Sequence, residues 1–253
     1  GGVLFGAFVT GDSINVAEYN NIASLDFVTS MDVEDSAANL LAEGVLSNIA
    51  SAVHALNVND ASLDQAQNIH SQVQSAQESS GNYFSTDFRI QDTADNVVSF
   101  LSDGNGDGLY IENVKLTESP SAPLSLSEMS SLVGVVDSFP DNITIVVNDS
   151  AVNIQMYQQS ALQDDRLAVY DADSITVGNT DAADTLTIQD LRALLDLKHF
   201  DIVSSSYELD DSGDNLTSLY NSDSDDKNII ISNASNVLAN DFSARTNSVK
   251  DLY

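Results

Sequence analysis

The run Asp103-Gly104-Asn105-Gly106-Asp107-Gly108 is where residue types and spacing in this chain point to metal chemistry. Oxygen donors at alternate positions, with glycine at the sixth, let a short loop wrap a hard cation, and they match the first half of a calcium-binding loop. The twelfth position, where a bidentate glutamate closes such a loop, is Val114, and Glu112 comes two residues early. Asp103, Asn105, Asp107 and Glu112 are therefore the candidate calcium ligands. The competing reading is a plain acidic glycine turn joining a helix to a strand. The weaker acidic clusters, Asp210-Asp211 with Asp214 and Asp223 with Asp225-Asp226, read as solvated loops.

Catalysis finds little support. His54, His70 and His199 share no motif, and no Gly-x-Ser-x-Gly, His-Glu-x-x-His or phosphate-cradling glycine loop is present. Paired carboxylates could serve a glycosidase, but among 39 acidic residues such pairs arise by chance. His54, after a helical stretch and before a strand, is expected to be a partly buried structural histidine. With no cysteine there is neither a disulfide framework nor a thiolate site. The expectation is a protein that is not an enzyme, with no catalytic residues.

What must position any site is a repeat. The phrase Asp-Ser/Thr-Ala/Gly-x-Asn-apolar begins at Asp35, Asp92, Asp149 and Asp211, at intervals of 57, 57 and 62 residues. A decayed fifth copy reads Ser232-Asn233-Ala234-Ser235-Asn236-Val237. Between the copies lies a second phrase, a strand-like run and a spacer leading to Leu or Ile at the head of a helix-like stretch. Leu56 to Asp60 leads to Leu63, Val114 to Glu118 leads to Leu124, and Ile175 to Asn179 leads to Leu186. The start of the chain fits too, with Phe8 to Asp12 leading to Ile14. A fixed period on this scale is the signature of a stacked repeat architecture.

One half-repeat shows the physics. Met31 and Val33 alternate with polar residues, as in a strand with one buried face. Asp35 or Ser36 stands where a helix N-cap belongs, and Ala37, Leu40, Leu41, Val45, Leu46 and Ile49 continue as one apolar helical stripe. The next strand starts near Ala55, so a parallel right-handed crossover repeats along one axis. The recurrent aspartates read as caps of these helices. Asn39, Asn96, Asn153 and Asn215 read as bonding to backbone inside the turn, or as a stacked asparagine ladder between coils. The predicted fold is α/β, a solenoid of strand-helix half-repeats with a parallel sheet along one face. It forms a single repeat body over 1–253, with half-repeats at about 8–30, 31–53, 54–82, 83–108, 109–139, 140–170, 171–201 and 202–227, and an irregular terminal coil at 228–253.

Composition narrows the setting. The net charge is −31, from 39 acidic and eight basic residues. Such a surface repels nucleic acid and anionic membrane, and it attracts divalent cations. No stretch reaches the roughly 18 apolar residues needed to span a bilayer. The apolar opening from Gly1 to Val9 is too short, and it lacks the basic region of a signal peptide. A chain that begins without Met is expected to be a processed product or a piece of something longer. Lys227, Arg245 and Lys250 gather near the C-terminus, where they can pair with the acidic body of another subunit.

From about Phe8 to Phe242 these phrases resemble those of very large secreted or surface-attached bacterial repeat proteins, described as calcium-binding or adhesin-like. The glycine-rich nonapeptide calcium repeat of the RTX class is absent. The resemblance implies an extracellular or cell-surface location and calcium as the candidate cofactor. The functional expectation is a structural subunit or segment of an extracellular filament, sheath or surface layer, with itself as partner in a head-to-tail homopolymer. Leu4, Phe5 and Phe8 at one end, and Ile229, Ile230 and Ile231 at the other, are the candidate assembly residues, because a solenoid must bury its terminal coils. The alternative is a secreted adhesin or ligand-binding repeat module holding a glycan or another surface protein.

Overall fold

The structure, a computed structural model, describes residues 13–22, 31–104, 108–178, 184–222 and 225–241. Strands and helices alternate along the chain. The first part runs α1 (Val16–Ile22), β1 (Met31–Ser36), α2 (Ala37–Leu40), α3 (Val45–Ile49) and β2 (Val53–Ala61). It continues with α4 (Leu63–Ser80), β3 (Ser85–Asp92), α5 (Ala94–Ser102) and β4 (Tyr110–Leu116). Then come α6 (Leu126–Val133), β5 (Val146–Asp149), α7 (Ala151–Gln158), α8 (Gln163–Tyr170), β6 (Ser174–Val177) and β7 (Asp184–Leu186). The last elements are α9 (Ile188–Leu195), β8 (Tyr207–Asp211), α10 (Gly213–Tyr220), α11 (Asp226–Asn233) and β9 (Asn236–Ala239).

The fold is α/β, and among the described residues every strand pairing is parallel. Within each sheet a strand pairs with the next in sequence, in the orders β1-β2-β3-β4, β5-β6 and β7-β8-β9. The parallel arrangement matches the expectation from repeated strand-helix units. These strands form three separate sheets, none of them closed, instead of the single one expected along one face.

Two local features of the chain lie near the breaks. All three prolines, Pro120, Pro123 and Pro140, lie near the points where the chain passes between its two compact units. One unit comprises Gly1–Glu118 and Val135–Pro140, the other Ser119–Gly134 and Asp141–Tyr253. Proline donates no ladder hydrogen bond, and these three stand outside the strands. The second break lies between β6 and β7. The Ser206 N–H donates to the Val177 carbonyl at 2.8 Å, and the Asp184 N–H donates to the Ser206 carbonyl at 3.3 Å. Ser206 thus bonds to both Val177 and Asp184. Gly178 takes φ +96°, and an added Cβ there would sit 2.2 Å from the Ser206 carbonyl oxygen.

The core of each unit follows the two periodicities. Val33, Leu56, Val58, Phe88 and Ile90 bury the inner face of the first sheet, and Leu40, Ile69, Val73 and Val97 bury the helices packed on it. In the other unit Ile145, Val147, Ile175, Val177 and Leu209 play the strand part, with Leu126, Met129, Ile154, Leu191 and Leu219 from the helices.

Three expectations are corrected. The stripe from Ala37 to Ile49 is two short helices, α2 and α3, because Gly44 takes a left-handed φ of 75° and restarts the helix. The phrase Ser232 to Val237 is no fifth copy: it spans the end of α11 and the start of β9, so Asn236 and Val237 are extended. Asp210 and Asp211 belong to β8, not to a solvated loop, and Asp211 is only 7% exposed.

Candidate functional site

The repeated phrase builds one device four times. The aspartate is the last residue of β3, β5 and β8 and the last but one of β1, and in each copy the Ser/Thr after it caps the following helix. Ser36, Thr93, Ser150 and Ser212 accept from the backbone N–H of Asn39, Asn96, Asn153 and Asn215. The aspartate does something else. Its Oδ1 accepts from the next residue's N–H, at 2.7 Å for Asp35, Asp149 and Asp211 and 2.8 Å for Asp92. The same Oδ1 accepts from the side-chain amide of the asparagine four residues on, at 2.7 Å in all four copies. The asparagines therefore orient carboxylates, and they neither bond to turn backbone nor stack on one another.

Oδ2 reaches across to a different half-repeat. Asp35 accepts from Val16 N–H at 3.0 Å, Asp92 from Leu63 N–H at 2.9 Å, Asp149 from Leu126 N–H at 2.9 Å, and Asp211 from Ile188 N–H at 3.0 Å. Each donor is the first residue of the preceding helix, α1, α4, α6 or α9, whose first-turn N–H groups have no intrahelical partner. A carboxylate there also faces the positive end of the helix dipole. The aspartates are caps, as expected, but of the helix before them.

The linkage continues in the other direction. The Ala151 N–H at the start of α7 donates to Asp184 Oδ2 at 2.6 Å, and the Gly213 N–H of α10 donates to Asp241 Oδ1 at 2.8 Å. In α5 the Ala94 N–H uses the Glu118 backbone carbonyl at 3.3 Å instead. The helices α4, α6 and α9 add capping boxes of their own, Ser62 with Gln65, Ser125 with Glu128 and Thr187 with Asp190. Asn15 and Glu18 exchange the same pair of bonds in α1. The starts of α1, α4, α5, α6, α7, α9 and α10 are thus completed twice, once locally and once by the half-repeat that follows.

The clamps have an electrostatic signature. Burial raises the carboxyls of Asp35 and Asp211, but the hydrogen bonds from Asn39, Val16 and Ser36, and from Asn215, Ile188 and Ser212, outweigh it and hold both below the ordinary value. A carboxylate depressed in the folded state contributes stability above its unfolded pKa of about 3.9 and loses it as pH falls through the folded value. The wild type should therefore exceed Asp211→Asn in stability by about 1 to 2 kcal/mol above pH 5. Below about pH 3.5 the gap should narrow as the wild-type carboxyl takes up its proton. Urea unfolding of both proteins at several pH values checks this, and a gap independent of pH would refute it.

Of the calcium candidates, Asp103 and Glu112 are among the described residues. Asp103 is the C-cap of α5, its N–H bonded to the Ser99 carbonyl. Asn105 and Asp107 lie outside the described residues. Glu112 is on β4 and accepts from Arg89 Nε at 2.7 Å. Arg89 also reaches Glu34 Oε1 at 2.9 Å and Asn59 Oδ1 at 3.1 Å, so β1 to β4 share one exposed polar ladder. Bonds from Asn59 and Ser13, with Arg89 nearby, hold Glu34 below the usual carboxylate range. Among the described residues no group of three or more His, Asp or Glu side chains is placed to hold a metal.

Of the assembly candidates, Leu4, Phe5 and Phe8 lie outside the described residues. Ile229 is exposed and Ile231 half-buried, whereas Ile230 is fully buried with its carbonyl accepting from the Tyr207 hydroxyl at 2.7 Å. Burial pushes the Tyr207 phenol up to about 12. His54, expected to be partly buried, is exposed on β2 with Nδ1 2.9 Å from Asp32. Among the described residues no helix is long and apolar enough to cross a membrane.

Sequence reasoning missed two grooves. One, of about 210 Å³, lies between α4 and α5 beside Asp92; the other, of about 450 Å³, lies between α9 and α10 beside Asp211. They occupy equivalent places in the repeat. Leu63 corresponds to Ile188, Asn96 to Asn215 and Ser99 to Ser218, while Asp64 and Gln67 are replaced by Gln189 and Arg192. The signal for them was the clamp itself, since each lies where a capped helix meets the helix of the capping half-repeat. No protein-family model matches the chain, and neither a curated protein nor a solved structure is similar to it.

Proposed function

We propose that this chain is a structural segment of an extracellular bacterial filament, sheath or surface layer, a solenoid of strand-helix half-repeats that assembles with copies of itself through its end coils. The observation that carries this reading is the clamp. In four places an aspartate completes the helix start of the half-repeat before it by accepting from a backbone N–H, so the junction needs a particular residue on one side only, and it recurs with the same distances at 3.0, 2.9, 2.9 and 3.0 Å. A heterologous junction of this kind propagates without closing. Among the described residues β9 pairs only with β8, and Ile14 only with Val33. In this reading a further coil stacks on the parallel ladder at Ile14 and at β9, as each strand does on its neighbour within a sheet.

The acidic composition fits an extracellular setting, in which calcium would screen the repulsion between neighbouring copies and Asp103 to Gly108 would be its first point of attachment. The test is negative-stain electron microscopy of the purified chain with millimolar calcium and again with chelator. Filaments or sheets are expected, and loss of order in chelator would tie calcium to assembly. Dispersed particles in both conditions would overturn the reading in favour of an adhesive or ligand-binding module.

A further inference from the structure

We infer that the groove between α9 and α10 is a binding site for a hydroxylated carboxylic acid of the uronate class. The two equivalent grooves serve as controls for one another. The groove beside Asp92 carries three carboxylates, Asp64, Asp92 and Asp103, and no basic side chain. The groove beside Asp211 carries one carboxylate and Arg192. At the same place in the repeat a charge of −3 has become zero, in a chain whose net charge is −31.

That single carboxylate does not compete for an incoming anion. Both oxygens of Asp211 are taken, Oδ1 by the Ser212 N–H and the Asn215 amide, and Oδ2 by the Ile188 N–H. The guanidinium of Arg192 has no hydrogen-bond or ion-pair partner among the described residues. Arginine's planar donor fork suits a carboxylate, which it can hold through two parallel bonds. Gln189 and Ser218 stand exposed on the same rim with side chains that can pair hydroxyl groups. Ile188 and Leu219 are buried beneath them and offer an apolar floor to the C–H face of a ring. The volume of about 450 Å³ is within the range of small-molecule sites and holds a single hexuronate with room for its neighbours in a polymer.

Saturation-transfer difference NMR tests this, because it reads the small molecule and works whether or not the protein has assembled. The probes are sodium glucuronate, glucose, sodium acetate and a tetraglutamate peptide. Glucuronate should give a saturable signal at least tenfold stronger than glucose or acetate. Arg192→Gln, which installs the residue of the equivalent groove at an exposed position, should reduce that signal at least tenfold. An unchanged signal in Arg192→Gln, or acetate equal to glucuronate, would overturn the assignment. Tetraglutamate binding more strongly than glucuronate would overturn it in favour of an acidic peptide. Failure here leaves the electron microscopy of assembly unaffected, and the converse also holds.

Discussion

Asp92→Ala should lower the stability of the chain by about 2 to 4 kcal/mol, while Glu78→Ala on the exposed face of α4 should change it by no more than about 0.5 kcal/mol. Asp92 is 9% exposed and accepts three hydrogen bonds, from the Leu63 and Thr93 N–H groups and from the Asn96 amide. Alanine removes every acceptor. Thr93 and Asn96 lie near the surface, where water can replace the lost oxygen, but Leu63 is only 5% exposed. Its N–H is left buried without a partner, and that desolvation is the larger part of the loss. The charge change is the same in both variants, so any relief of repulsion in this acidic chain cancels in the comparison. Urea denaturation followed by far-ultraviolet circular dichroism measures both. Equal midpoints for the two variants would mean that the clamp contributes nothing to coil stacking.

Ile230→Asp should destabilise the unit that contains it by about 4 kcal/mol or more, whereas Ile229→Asp should cost less than about 1 kcal/mol. Ile230 has no exposed surface, and its carbonyl holds the hydroxyl of a tyrosine that is itself fully buried. A carboxylate there gives up the side chain's burial and must either lose its solvation or displace α11 from β8. Ile229, one residue away, is 39% exposed. Thermal unfolding separates the two variants, and a folded Ile230→Asp protein with an unchanged midpoint would contradict the placement of α11. The same pair also bears on assembly. Only Ile229→Asp can report on an end surface, since loss of polymers in Ile230→Asp would follow from unfolding alone.

The helix starts were legible because a cap is a local matter. Ser36, Thr93, Ser150 and Ser212 bond to N–H groups three residues on, and that spacing is written in the chain. Parallel pairing was legible for a related reason. A strand, a helix and a strand repeated at short intervals leave few other ways to bury an apolar face. The placement of Ile230 was not: Ile229, Ile230 and Ile231 are equally apolar, and only the packing of α11 selects the middle one for the core.

Sequence by itself determined the repeat, its period, the α/β alternation and the identity of the residues in each clamp. Only the tertiary structure decided what the clamp joins. Asp35, Asp92, Asp149 and Asp211 bond to N–H groups 19, 29, 23 and 23 residues earlier, a separation that varies with the length of the intervening helix and loop. An aspartate before a serine looks the same in sequence whether it caps its own helix or another, because the choice depends on which free N–H lies within about 3 Å once the strands have paired. The division into three sheets was likewise decided only in the fold, where strand pairing stops between β4 and β5 and between β6 and β7.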